Sequence, residues 1–196
     1  MEVVVLKIGK YDPTLNGSLS KYEGYVSSTK QIIDLPLEDE ACRRISSNVE
    51  KYGSFSILGY STLLRAIQTS ECIAAEIKIP CSALNEVRFD LAQLVTEEEF
   101  ISHGSALVRE RFVESFVNDT LLETRRQLFE RIRDVFSFLS AQRVEKVCLV
   151  SHSFMMKLLE ATTLGIDFWE YPEKLSEFIR PERKTYEFGE GFRFNF

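Results

Sequence analysis

The sequence predicts an α/β protein, a three-layer sandwich with a mostly parallel central sheet and helices on both faces. Short runs rich in β-branched residues alternate along the chain with amphipathic helical stretches, which is the pattern of parallel strands joined by crossover helices. The last residues alternate around Gly189-Glu190-Gly191 instead, which predicts a β-hairpin on the C-terminal edge of the sheet. No repeat or interdomain linker interrupts the chain, so residues 1–196 are expected to form a single domain.

Composition and charge narrow the class of protein. The formal net charge of −6, from 24 basic and 30 acidic residues, argues against a general nucleic-acid surface. The apolar runs are too short to cross a bilayer and the start lacks a signal-peptide pattern, so we expect a cytoplasmic protein without a membrane segment. Four scattered cysteines predict reduced thiols rather than a zinc site or a disulfide frame: Cys42, Cys72, Cys81 and Cys148. No metal or cofactor is expected, and no pattern indicates an oligomeric state.

The first half of the chain begins with a predicted strand and a long loop. Val3–Ile8 is a strand by its β-branched content. Residues 9–31 read as a polar loop, which either stays solvated or covers a ligand. A helix is predicted over Leu37–Tyr52 and a second strand over Ser54–Tyr60. Ser61-Thr62 then caps a helix that runs to about Ile77.

The second half predicts further helices and a last parallel strand. Cys81–Leu84 reads as a short strand and Ala106–Val117 as a helix. A capping box, Thr120-x-x-Glu123, is expected to begin an amphipathic helix that ends near Ala141. Asp167–Ile179 reads as a helix or turns. The strand before this segment, Val147–Val150, carries the first candidate site.

Two strand-to-helix junctions carry candidate functional residues. His152 follows the strand Val147–Val150 and precedes a helix over Phe154–Leu164, at the sheet edge where α/β proteins bind ligands. A buried histidine bonded to backbone is the simpler alternative. Arg65 lies in the first turn of the helix after Ser61-Thr62, where a cation opposes the helix dipole unless an anion is nearby. Taken by itself, Arg65 is better explained as a surface arginine that reaches solvent.

Four segments, in this order, resemble the histidine phosphatase superfamily, the phosphoglycerate-mutase-like proteins. That family typically has a first strand ending in Arg-His-Gly, a turn reading Ser-Ser-Pro-Leu-x-Arg-Ala-x-Gln-Thr, a Leu-x-Glu, and a last strand ending in Ser-His-Gly. The matching segments here are Lys7-Ile8-Gly9, Tyr60–Thr69 (YSTLLRAIQT), Leu84-Asn85-Glu86 and Val150–Ser153 (VSHS). The resemblance covers most of the chain apart from residues 96–117, a family-variable insertion, and the C-terminal residues.

The resemblance implies phosphoryl chemistry with one part replaced. In the family, the first His attacks phosphorus, arginines and the second His surround the phosphoryl oxygens, and a carboxylic acid protonates the leaving oxygen. Applied to the matching residues of this chain, the resemblance implies a phosphate-binding role for Lys7, Arg65 and His152. It also places Glu86 and His152 at catalytic positions. Ile8 stands at the nucleophile position and has no lone pair, so it cannot attack. Lys7 keeps a positive charge but lacks the bidentate fork of Arg.

A substitute nucleophile would have to reach in-line geometry within about 3.5 Å of phosphorus. His103 lies in the segment least like the family, and His152 would have to leave its oxygen-binding role. Neither is expected to replace the missing imidazole, so no residue is assigned as the nucleophile.

Three hypotheses follow. The leading one is a catalytically inactive histidine-phosphatase fold, a pseudophosphatase, which binds a phosphorylated small molecule or a phosphoprotein through a residual pocket. The second is a divergent phosphomonoesterase with a substitute nucleophile or a positioned water. The third is a structural or interaction module without a ligand, in which His152 is an ordinary packed histidine. Turnover of a phosphomonoester separates the second from the others, and anion binding separates the first from the third.

Overall fold

A computed structural model describes residues 1–9, 20–32, 36–38, 40–179 and 186–196 of the chain. The described residues form one five-stranded sheet with the order β3-β2-β4-β1-β5. Its strands are β1 (Glu2–Lys7), β2 (Phe55–Tyr60), β3 (Ala75–Pro80), β4 (Lys146–Ser151) and β5 (Gly191–Asn195). The strands β1 to β4 are parallel, and β5 pairs antiparallel to β1. This is the mostly parallel sheet predicted from the sequence.

Eight helices connect and cover these strands within the described residues. They are α1 (Lys21–Thr29), α2 (Ala41–Glu50), α3 (Leu64–Glu71), α4 (Leu91–Leu94), α5 (Glu97–Val117), α6 (Arg125–Ser140), α7 (Ser153–Thr163) and α8 (Lys174–Phe178). A 3₁₀ turn spans Ser82–Leu84. In the part of the chain that the structure describes, no helix is long and apolar enough to cross a membrane.

Two hydrophobic clusters, one on each face of the sheet, make the three layers. Alternate residues of β1 point to opposite faces, as the period of a strand requires. Val4 and Leu6 pack with α2 and α3. Val3 and Val5 pack with α5, α6 and α7. The predicted three-layer α/β sandwich is therefore confirmed.

The C-terminal residues lie at the sheet edge, as predicted, but the predicted hairpin is wrong for the part that is described. Residues 186–190 are a turn and its flanks rather than a strand, and β5 pairs with β1. The turn is held by the end of β1, because Gly189 N donates to Lys7 O (2.9 Å) and Lys7 N donates to Glu190 O (2.8 Å). The two strands pass closely, and a Cβ at Gly191 would overlap the carbonyl oxygen of Val5.

The region after β2 also differs from prediction. The helix expected to run to Ile77 ends at Glu71, and β3 follows it. Ile73 and Ile77 share helical spacing, but Ile77 is 55% exposed because it lies on an edge strand. The strand predicted over Cys81–Leu84 is a 3₁₀ turn instead.

Four predictions of loop or helix bounds were wrong. The loop predicted over residues 9–31 contains α1, which Ser20 and Glu23 begin with a capping box, while residues 10–19 lie outside the described residues. The segment expected to be helical from Ala106 is helical from Glu97, with a break at Gly104 (φ 59°). The long helix α6 begins after Thr124 rather than Thr120, with Thr124 and Gln127 as its capping box. The helix predicted over Leu37–Tyr52 is shorter in the structure, where α2 spans only Ala41–Glu50.

The prediction of four reduced cysteines is wrong. Cys42 on α2 and Cys72 at the end of α3 form a disulfide, with their Cα atoms 5.3 Å apart. Cys81 and Cys148 are free. The pair is separated by 30 residues in sequence, and the sulfurs meet because α2 and α3 pack side by side on one face of the sheet. Sequence spacing carries no information on that proximity.

Candidate functional site

The sheet topology brings the ends of three strands together. Lys7 is paired with Ser151 across β1 and β4, and Tyr60 is paired with Val150 across β2 and β4. The pairing continues one residue further, because Ile8 N donates to Ser151 O (2.9 Å). The residues that follow β1, β2 and β4 therefore meet at the carboxyl edge of the sheet, where parallel α/β sheets bind ligands.

All four site residues predicted from the sequence line one cavity at this edge. The cavity has a volume of about 430 Å³, and Lys7, Arg65, Glu86 and His152 are in its wall. Ile8 is in the wall beside them and is 4% exposed. The expected juxtaposition of the three strand-end motifs is therefore present in the fold.

A hydrogen-bond network holds the imidazole ring of His152 in place. The His152 Nε2 lies 2.7 Å from Ser61 Oγ, which in turn lies 2.8 Å from Asn85 Oδ1. The backbone N–H of Thr62 also donates to Asn85 Oδ1 (2.8 Å), and a backbone amide can only donate. Ser61 Oγ has one proton and two acceptors within reach, Asn85 Oδ1 and His152 Nε2, and Asn85 Oδ1 also accepts from Thr62 Oγ1 (3.0 Å).

His152 is held in its neutral form. It is 2% exposed, and this burial lowers the pKa of its imidazole well below the ordinary value, an effect to which the positive charges of Arg65 and Arg131 add. A neutral His152 carries no positive charge, so it binds a phosphoryl oxygen only by donating from Nδ1–H, in the tautomer in which Nε2 accepts from Ser61.

The carboxylate of Glu86 sits at the N-terminus of α7. It accepts hydrogen bonds from the backbone amides of Met155 (3.0 Å) and Phe154 (3.2 Å), and from its neighbour Val87 (3.0 Å). Burial raises the pKa of Glu86, and the three amides oppose that effect without overcoming it. A half-buried carboxyl with a raised pKa is therefore part of the cavity wall.

Lys7 is anchored by the turn before β5. Its Nζ donates to the carbonyl of Tyr186 (3.0 Å) and lies 4.8 Å from the centroid of the Phe188 ring. Burial lowers the pKa of Lys7, while the negative charges of Glu187 and Glu86 act in the opposite direction. Tyr186 and Phe188 therefore hold the side chain of Lys7 in place, with its amino group at the cavity wall.

The cavity wall has further polar residues that were not predicted as site residues, among them Ser105, Arg109, Ser153 and Lys157. Lys157 is one helical turn after Ser153 on α7, so its position follows from the helical period once Ser153 is placed. Its Nζ pairs with Glu160 at 2.8 Å. Arg109 comes from α5, and its buried Nε has no hydrogen-bond partner among the described residues. No local pattern marks Arg109, because the bend and packing of α5 decide which of its residues reach the cavity.

The geometry agrees with a sequence comparison. Residues 27–175, more than half of the chain, match the family model of the histidine phosphatase superfamily (branch 1). The chain belongs to the histidine phosphatase superfamily. The matched range includes Arg65, Glu86 and His152 and begins after β1, so Lys7-Ile8-Gly9 lies outside it. No curated protein sequence matches the chain significantly.

Solved structures of this superfamily share the fold. The α-ribazole phosphatase from Shigella flexneri superposes with a TM-score of 0.60 at 17% identity, covering 90% of this chain and 84% of that one. A putative α-ribazole-5′-P phosphatase from Escherichia coli gives 0.56 at 21% identity, with 88% and 84% covered. A mycobacterial glucosyl-3-phosphoglycerate phosphatase in complex with VO3 gives 0.55 at 18% identity, with 88% and 86% covered. At these identities the likeness establishes the fold.

The chain has two histidines, and both lie among the described residues. His103 is exposed on α5 and is not in the cavity wall. His152 is held by Ser61, as described above. In the described part of the chain, no group of three or more His, Cys, Asp or Glu side chains is placed to hold a metal ion.

Proposed function

We propose that this histidine-phosphatase fold binds a phosphorylated ligand in the cavity without forming a phosphohistidine. One observation carries the proposal. Lys7, Arg65 and His152 line a single cavity together with Ile8. The resemblance to the superfamily aligns Ile8 with the nucleophilic imidazole of its first motif. The site thus retains groups that attract a phosphoryl group and lacks the one that would attack it.

Each group has a distinct task in this proposal. The guanidinium of Arg65 makes two parallel hydrogen bonds to phosphoryl oxygens, whereas Lys7 acts as a point charge. Lys7 already donates to Tyr186 O, which leaves fewer of its protons for a ligand. Arg65 should therefore contribute more to affinity than Lys7.

Local charge favours an anion although the whole chain is acidic. Arg65, Lys7 and Arg109 line the cavity, and the acid that faces them there is Glu86. The Glu86 carboxylate accepts hydrogen bonds from the backbone amides of Val87, Phe154 and Met155, and these donors partly compensate its negative charge. With a net charge of −6, attraction must come from this local concentration of positive charge, and it should weaken as salt rises.

A divergent phosphomonoesterase is the second candidate, and the raised pKa of Glu86 favours it. A protonated Glu86 would donate its proton to the leaving oxygen as a positioned water attacks phosphorus and the P–O ester bond breaks. The proton that the attacking water releases would then return Glu86 to its protonated form. The structural neighbours named as phosphatases agree with this candidate at the level of the fold. Turnover measured beside binding separates the two proposals.

Calorimetric titration with inorganic phosphate at low salt, repeated across a salt series, tests the leading proposal. We expect weak binding that decreases with salt. Arg65→Ala should lower the affinity by about 1.5–3 kcal/mol, more than Lys7→Ala, because it removes a charge-assisted bidentate contact. Arg133→Ala, which changes an exposed arginine of α6 outside the cavity wall, is the matched control and should bind like the parent.

The opposite result is equally clear. Absence of binding at low salt, or equal binding by the parent and Arg65→Ala, would favour the structural or interaction module, in which the cavity residues serve packing alone.

A further inference from the structure

Much of the cavity wall is apolar. Beyond the charged groups at the strand ends, α1, α4, α5, α7 and the loop before α4 contribute mainly aromatic and aliphatic side chains: Tyr25, Phe89, Leu91, Phe100, Val108 and Phe154. We call these six residues the apolar wall. The polar residues that α5 adds beside them are Ser105 and Arg109.

The size of the cavity indicates a ligand larger than a phosphoryl group. A volume of about 430 Å³ falls within the range of roughly 300–1,000 Å³ that is typical of small-molecule sites. A phosphoryl group held at Arg65 and His152 would fill only a small part of it. The rest of the ligand must therefore lie against the apolar wall.

Packing holds the rings of the apolar wall in place. Phe154 stacks on Phe112 at 3.8 Å between centroids and meets Phe89 edge-on at 5.3 Å. Tyr25 and Phe100 form a second pair at 5.3 Å. Rings fixed in this way present a preformed apolar surface, so a flat apolar group binds without first ordering the wall.

We propose that the ligand is a phosphate monoester whose other half is an apolar ring, that is, an aryl phosphate. This inference rests on the proposed phosphate-binding function and adds the chemical class of the ligand. A sugar phosphate fits the apolar wall poorly, because each hydroxyl group placed there would lose its hydrogen bonds to water. An aryl group instead buries its surface against rings.

The test compares three ligands on one protein by calorimetry: inorganic phosphate, phenyl phosphate and glucose 6-phosphate. We expect phenyl phosphate to bind about tenfold or more tightly than either of the others, since burial of even part of a ring against apolar surface exceeds the roughly 1.4 kcal/mol that a tenfold change requires. Phe100→Ala should remove most of this advantage and leave the affinity for inorganic phosphate within about twofold.

The chain offers a matched control. Phe129→Ala truncates an aromatic residue on α6 that is 40% exposed and lies outside the cavity wall, so it should change none of the three affinities. Should Phe100→Ala fail to fold, as judged by circular dichroism, Val108→Phe offers the opposite change. It adds bulk to the apolar wall and should exclude phenyl phosphate while still admitting phosphate.

The outcomes separate this inference from the proposed function. Equal affinity for phosphate, phenyl phosphate and glucose 6-phosphate would overturn the aryl-phosphate inference and leave the phosphate pocket standing. Tighter binding of glucose 6-phosphate than of phenyl phosphate would also overturn it. If phenol binds as tightly as phenyl phosphate, or if no phosphate compound binds, the proposed function fails and the inference fails with it.

Discussion

Ile8 belongs to two environments at once. It lines the cavity, and it also packs in the hydrophobic cluster on the α2 and α3 face together with Leu6 and Ile45. The adjacent Gly9 is tied to α3, because its backbone N–H donates to Thr69 Oγ1 (3.0 Å). The backbone just after β1 is therefore fixed by the core and by α3, and it holds Ile8 in the cavity wall.

We expect negligible phosphomonoesterase activity from the purified protein at neutral pH. Loss of a covalent nucleophile removes several orders of magnitude of rate. Release of phosphate from phenyl phosphate measures this, and the double variant Lys7→Arg/Ile8→His, which supplies both missing motif residues, should exceed the parent. Robust turnover by the parent that is lost in His103→Ala would show that His103 is a nucleophile after all.

The protonation state of His152 gives a prediction on pH. Because its folded pKa is lowered, the unfolded chain binds the proton more readily than the folded one. The His152 contribution to the free energy of unfolding is therefore fully present above about pH 6.5 and is lost as pH falls toward the folded pKa. The chain has two histidines, so His103→Gln assigns their NMR signals.

The NMR titration itself is the measurement. In phosphate-free buffer the His152 ring signals should show no protonation step near pH 6.5. A midpoint at or above that pH would mean a charged imidazole and a different hydrogen-bond network around Ser61.

At the scale of elements, α6 holds the loop that carries Glu86. Arg131 on α6 donates to the carbonyl oxygens of Ala83 (3.2 Å) and Asn85, and it pairs with Glu123 at 2.5 Å. Glu123 in turn accepts from Arg88 N (2.8 Å). The backbone is thus fixed on both sides of Glu86, which indicates that Arg131 is a positioning residue for the site.

Arg131→Lys should lower the free energy of unfolding by about 1–3 kcal/mol, because an ammonium group cannot span two carbonyl oxygens and a carboxylate in this fixed geometry. Chemical denaturation measures the loss, and phosphate titration should show weaker binding as well. Arg126→Lys is the matched control on the same helix. Its exposed pair with Glu130 is expected to contribute less than about 0.5 kcal/mol. An unchanged phosphate affinity in Arg131→Lys would leave Arg131 a purely structural role.

The elements that the sequence predicted well are those whose residues are buried on both faces. β1, β2 and β4 lie inside the sheet, and their β-branched and apolar runs mark them directly. The edge strand β3 was missed because half-exposed residues such as Ile77 fit a helical period as well as a strand. The turn near Gly189 was predicted, but the hairpin was not found because β5 pairs with β1, which is far away in sequence.

At the scale of the whole molecule, the sequence predicted those residues of the candidate site that lie in the motifs resembling the family. Arg65, Glu86 and His152 follow strand ends, and the fold brings such ends to one edge. Arg109 and the disulfide between Cys42 and Cys72 depend on how helices pack against one another. That packing leaves no trace in local sequence patterns.

A structure determined from crystals grown or soaked with inorganic phosphate tests the central claim most directly. We predict an anion in the cavity beside Ile8, within hydrogen-bond distance of Arg65 and close to His152, and not joined covalently to any side chain. The same experiment with Arg65→Ala should leave the cavity without the anion. An empty cavity in the parent at high phosphate concentration, or a phosphoryl group bonded to a histidine, would contradict the claim that this fold binds phosphorylated ligands without covalent chemistry.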